Sequence, residues 1–145
     1  MTKPTLVATK YNEATHSYTT TIGTDIGEFT ASVVCRPEDY PYESEYFGFE
    51  LAEIKATIAY ARAKRKFYDA QIKVLDEFWG NMSKTRTYDD NAFWVSKIDD
   101  KIEELKWSKK FWTDEIDYLK EHYHLLIVDA DAFNAAKVRH FGGKL

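Results

Sequence analysis

Two series of apolar residues at three- and four-residue spacing run through most of the chain, and each is interrupted once, near its middle, by a base. The first is Leu51, Ile54, Ile58, Ala61, Arg65, Tyr68, Ile72, Leu75 and Trp79. The second is Val95, Ile98, Ile102, Leu105, Lys109, Trp112, Ile116, Leu119 and Tyr123. Each is an a/d stripe of about four heptads, the pattern of a helix that buries one seam against another. The segment Gly80–Asn91 between them is rich in turn and capping residues, so the two helices are expected to fold back on each other. A hairpin turning near residue 86 sets position 65 level with positions 107–109, so that Arg65 and Lys109 meet mid-seam. Two unpaired cations in an apolar contact are costly. Either they snorkel outward and fix the helical register, with Asp69 and Asp114 as local partners, or they form a cationic pocket for a phosphate or carboxylate.

The remainder of the chain reads as β structure followed by helix. Residues 5–11, 16–22 and 28–35 are rich in Thr, Val, Tyr and Phe, with turn residues at 12–15 and 23–27, which predicts a three-stranded antiparallel meander over 5–35. A connection with Pro37 and Pro41 leads into helix one, expected over 45–80 and closed by Gly80 and Asn81. Helix two is expected over 89–123, capped by Asp89 or Asp90. The apolar run Leu125-Leu126-Ile127-Val128 reads as a fourth strand returning to the sheet, and 130–139 as a short last helix. The fold class is therefore α+β in a single domain: a three- to four-stranded antiparallel sheet, a long antiparallel helical hairpin and a short C-terminal helix.

Bulk properties narrow the function. A formal net charge of -4 argues against nonspecific binding to nucleic acid polymers or membrane surfaces. No apolar run reaches the length of a membrane span, no secretory h-region follows Met1, and the single cysteine, Cys35, excludes an internal disulfide. A cytoplasmic protein is the expectation. The aromatic content of 16% is high, suiting large interfaces or stacking surfaces for flat ligands.

Catalytic signatures are absent from the sequence: there is no G-x-S-x-G, no P-loop and no G-x-G-x-x-G. Cys35 beside Arg36 reads as a structural thiol. His122 and His124 converge only in an extended segment and do not complete a metal site. No catalytic residue, metal or cofactor is expected. The binding reading instead assigns Arg62, Arg65 and Lys109 to an anionic ligand, Tyr60, Phe93, Trp94 and Trp107 to stacking, and Asn91 to reading the edge of a base. The long polar segment 81–91 is a candidate to close over such a ligand.

The junction Cys35-Arg36-Pro37-Glu38-Asp39, followed by Gly48, Ala52, Ala56 and Ala59 at small-residue spacing, resembles a group of small phage and prophage proteins over residues 28–62. The whole layout resembles phage-encoded sponges of the Thoeris anti-defence type. That resemblance implies a non-enzymatic protein of the host cytoplasm that binds and sequesters a cyclic ADP-ribose-like immune signal as a symmetric homo-oligomer, a dimer or a multiple of one. It carries no binding residue over to this chain. The alternative is a protein–protein interaction module, a phage structural or host-takeover protein that uses the helical hairpin as its binding face.

Overall fold

A computed structural model of the chain describes residues 3–85 and 88–141, and within these the side chains other than those of 42, 82–85, 88–95 and 141. The order is β1 (Thr5–Asn12), β2 (Ser17–Thr24), β3 (Gly27–Val34), a 3-10 turn (Pro37–Tyr42), α1 (Glu45–Thr85) and α2 (Tyr88–Phe141). This is an α+β protein, a three-stranded antiparallel sheet followed by two long helices. It divides into two compact units: residues 1–60 with 117–145, and residues 61–116.

In the sheet unit, β2 lies between β1 and β3. Its alternation places Tyr18, Thr20 and Ile22 on the buried face, as the two-residue period of a half-buried strand requires. The other face is polar: hydroxyls pair across the strands at Thr19–Ser32 (2.6 Å) and Thr21–Thr30 (2.8 Å). Hydrogen bonding holds the first hairpin turn, where Asn12 Oδ1 accepts the Ala14 N–H and His16 adopts φ 51°. Gly27, at φ 122°, closes the second. The start of α1 lies directly under β2. Thr20 donates to the Phe49 carbonyl, the Phe49 ring meets Tyr18 edge-on, and a Cβ on Gly48 would stand 2.4 Å from the Tyr18 ring. Glycine at 48 is what permits that approach. Ala52 and Ala56 continue the same face and are fully buried.

In the helical unit the expected stripes form the core. Ile72, Ile98, Ile102 and Leu105 cluster, with Tyr68, Leu75 and Trp79 packed against them. The pairing is antiparallel, with Lys64 beside Trp112 and Asp69 beside Lys109.

Three expectations about the helices are corrected. Gly80 does not end α1, which continues to Thr85; its φ is not in the left-handed region that marks a helix-ending glycine, and glycine inside the helix costs about 1 kcal/mol of propensity. The supposed long loop 81–91 is therefore helical at 81–85 and 88–91, with 86 and 87 outside the described residues. Residues 125–128 are not a strand, and 130–139 is not a separate helix, because α2 runs unbroken through both. Leu126, Ile127 and Ala130 are half-buried, so the heptad seam of Leu119 and Tyr123 simply continues, and this periodic burial outweighs the β preference of Ile127 and Val128.

Candidate functional site

The cationic side chains singled out by the heptad breaks line one groove. Arg62, Arg65, Lys66 and Asp69 stand at i, i+3, i+4 and i+7 of α1, one face of a helix. With Lys109 and Thr113 of α2 they line an open groove on the helical unit. Four basic groups and one carboxylate share it.

Lys109 shares this groove with Arg65, and its charge is answered by Asp69. The Lys109 Nζ donates to Asp69 Oδ1 at 2.8 Å, one turn further along α1, while Lys73 Nζ holds the other oxygen, Oδ2, at 3.0 Å. The Lys109 hydrogen bond, followed by that of Lys73, keeps the Asp69 carboxyl below the usual carboxylate range. Asp69 supplies part of the anion that the seam requires. Arg65 is half-buried and forms no ion pair among those described.

Sequence reasoning missed the base most deeply placed in this seam. Lys64 is only 8% exposed, and its ammonium lies 5.7 Å from the Tyr68 ring centroid and 5.8 Å from that of Trp112. Two aromatic faces receive this cation, an attraction that grows as water is excluded. The signal was present in the i, i+4 spacing of Lys64 and Tyr68, but Lys64 sits one residue off the a/d stripe.

The aromatic and amide residues expected around the groove do not assemble there. Tyr60 is 2% exposed in the sheet unit; its hydroxyl donates to Asp25 Oδ1 at 2.7 Å and its ring meets Phe29. Trp107 is 70% exposed and outside the groove lining, since two residues from Lys109 is more than half a turn of helix. Asn91, Phe93 and Trp94 lie outside the residues whose side chains are described. What the groove offers is charge and hydrogen-bond donors, the chemistry of phosphate or carboxylate recognition.

The other candidates resolve in structural roles. Burial, then the nearby Glu43 carboxylate, pushes the Cys35 thiol up to about 11, so that it is neutral at neutral pH and a poor nucleophile. His122 and His124 are exposed on α2, where residues two apart diverge. His16, not singled out by its sequence context, is the histidine with defined partners: its Nδ1 is 3.0 Å from Glu43 Oε1, and its ring stacks on Tyr40 with centroids 3.6 Å apart. Among the described residues no group of three or more His, Cys, Asp or Glu is placed to hold a metal, and no helix is long and apolar enough to cross a membrane.

No protein-family model, curated protein or solved structure matches the chain.

Proposed function

We propose that this protein is a non-enzymatic binder that sequesters a phosphate-bearing, nucleotide-derived molecule, with the groove of the helical unit as its anion site. The observation that carries the reading is the convergence of Arg62, Arg65, Lys66 and Lys109 on one surface, with Asp69 as the sole carboxylate of its lining. Arg62 and Arg65 supply planar, permanently charged forks suited to a pyrophosphate, and Lys66 adds a point charge. Sequestration requires tight holding and no bond breaking, so neither a nucleophile nor a general base is called for. The resemblance of the Cys35–Asp39 junction and of the layout to anti-defence sponges supplies the ligand class, a cyclic ADP-ribose-like immune signal in the host cytoplasm. The groove is open, so enclosure of such a ligand falls to a second copy across a symmetric interface.

A melting-temperature screen tests this with ADP-ribose, cyclic ADP-ribose and 3′,5′-cyclic AMP. A ligand present at 100 times its Kd adds about 2.7 kcal/mol, a rise of several degrees. A flat panel removes the reading.

A second reading has its own support. Phe67, Val74 and Phe78 recur along one strip of α1, and Trp107 and Phe111 stand one turn apart on α2, all exposed. An apolar strip of this kind suits a helix-packing partner, and a protein–protein interaction module would use it as its binding face. Light scattering bears on both readings, since a symmetric oligomer buries these rings and a monomer leaves them for another protein.

A further inference from the structure

Two concavities of the molecule differ in how their charged groups are answered. That of the sheet unit, about 300 Å³, has an apolar body of Phe47, Leu51, Tyr123 and Ile127 and is acidic at one end. Its charged groups satisfy one another: Arg36 holds Asp39 at 2.9 Å and Asp131 at 3.1 Å, and Glu43 accepts from Tyr11 at 2.7 Å and meets His16 at 3.0 Å. The groove of the helical unit is the opposite case. Among the described residues Arg62, Arg65 and Lys66 form no ion pair, whereas Lys109 is already answered by Asp69. Thr113 donates its hydroxyl hydrogen to the Lys109 carbonyl at 3.0 Å and has none left for an anion. The donors on offer are therefore two guanidinium forks and one ammonium.

Their spacing says what they can hold. Residues 62 and 65 are three apart on α1 and residues 62 and 66 four apart, so the three bases rise along one face within about 6 Å of helix axis. Each guanidinium can take two oxygens of one phosphate in a planar, bidentate contact, and two forks about a turn apart suit two phosphates joined to each other. A single phosphate fills one fork and leaves the other cation unanswered. Nothing in the lining reads a base, for it holds no aromatic ring, no asparagine and no glutamine. Proteins recognise bases by stacking and by hydrogen bonds to their edges. Trp107 is outside the lining, and Tyr60 belongs to the sheet unit.

We infer that the groove selects its ligand by a pyrophosphate group and not by a base: free pyrophosphate and pyrophosphate diesters of any nucleoside form its ligand class, and single phosphates and uncharged nucleosides lie outside it. Arg62 and Arg65 each hold one phosphate, and Lys66 neutralises the charge the two share. The inference rests on the anion-binding reading and narrows it. A nucleotide-derived signal belongs to this class only through its pyrophosphate, so 3′,5′-cyclic AMP, with one phosphate, is excluded.

Calorimetric titration of the full chain at fixed ionic strength, which holds screening constant, compares inorganic pyrophosphate, inorganic phosphate, ADP-ribose, UDP-glucose and adenosine. ADP-ribose and UDP-glucose should bind within about threefold of each other, and inorganic pyrophosphate should displace both. Inorganic phosphate should be at least about tenfold weaker than pyrophosphate, as the loss of one charge-assisted contact implies, and adenosine silent. Arg65→Lys, which keeps the charge and removes the fork, should weaken ADP-ribose and UDP-glucose alike by about tenfold with the melting temperature preserved. Binding of ADP-ribose with UDP-glucose silent would mean that a base is read; it would overturn the assignment and leave the anion site standing. Equal affinity for phosphate and pyrophosphate, or no change in Arg65→Lys, would reduce the groove to a patch of charge and overturn it as well. Silence from every probe would remove the anion-binding reading and this inference together.

Discussion

The groove of the helical unit takes its side chains from two helix faces at heptad-related spacing, whereas the cavity of the sheet unit gathers its wall from β2, β3, the 3-10 turn and both helices. The first is open and basic; the second is more enclosed, apolar in body and acidic at one end. Their polar groups are also settled differently. In the helical unit Asp69 is shared by Lys73, one turn along the same helix, and Lys109 of the facing helix, and Lys64 lies against one ring from each helix, Tyr68 and Trp112. In the sheet unit Glu43 is reached from residues 27 and 32 positions away, and Arg36 from Asp131 across 95 positions. Helical periodicity aligns the residues of the first site on two facing helices, whereas the second draws on strands, turn and helices together, so substitutions should break them in different ways.

The largest effect is expected in the helical core. Leu105→Ala removes a buried side chain from the Ile72–Ile98–Ile102 cluster and should cost about 3 kcal/mol in chemical denaturation. A loss well under about 1 kcal/mol would mean that the seam is loosely packed and that heptad spacing overstates it.

Next comes the close approach in the sheet unit. Gly48→Ala places a Cβ against a buried Tyr18 ring that cannot swing aside, and should destabilise by about 2 kcal/mol. An unchanged denaturation midpoint would show that α1 lies further from β2 than described.

Acidification sharpens the contrast between the two carboxylates' settings. Burial alone would raise the Glu43 pKa, but hydrogen bonds from Tyr11 and His16 outweigh it and the carboxyl titrates below its ordinary value. A depressed folded pKa contributes stability above the unfolded value of about 4.3, and that contribution is lost as pH falls through the folded value. The wild-type melting temperature should therefore fall more steeply than that of Glu43→Gln between about pH 5 and pH 3. Parallel curves would remove the Glu43 network from the account of the sheet unit.

The smallest effect concerns affinity. Asp69→Asn removes the one carboxylate lining the groove, so cyclic ADP-ribose should bind about two- to fivefold more tightly, with the gain shrinking at high salt. Weaker binding would show that Asp69 is needed to hold Lys109 in place.

The same division explains what could be read in advance. The three strands were legible because Thr, Val, Tyr and Phe alternate between clear turn residues, and the helical seam because its apolar spacing is regular. Convergence of Arg62, Arg65 and Lys109 followed from that spacing too. The pairing of Lys109 with Asp69 across the helices did not, and Gly80 and Asn81 carry the chemistry of a helix end while the helix continues to Thr85. Residues 125–128 misled because an apolar run with two β-branched residues looks the same in a strand and in a buried helical face. The partnership of Tyr11, His16 and Glu43 had no local signal, for it exists only once the meander has paired and the connection into α1 has folded against it. Arg36, the sequence neighbour of Cys35, pairs with Asp39 and Asp131, the second of which no local pattern announces.

Isothermal titration of cyclic ADP-ribose into the wild-type chain and into the double variant Arg62→Gln/Arg65→Gln bears most directly on the anion-site reading, with the ligand recovered afterwards and checked for intactness. The expected result is saturable binding by the wild type, ligand returned chemically unchanged, and at least a hundredfold loss of affinity in the double variant with its melting temperature preserved. Equal affinity in the two proteins, or a ligand returned cleaved, would contradict it.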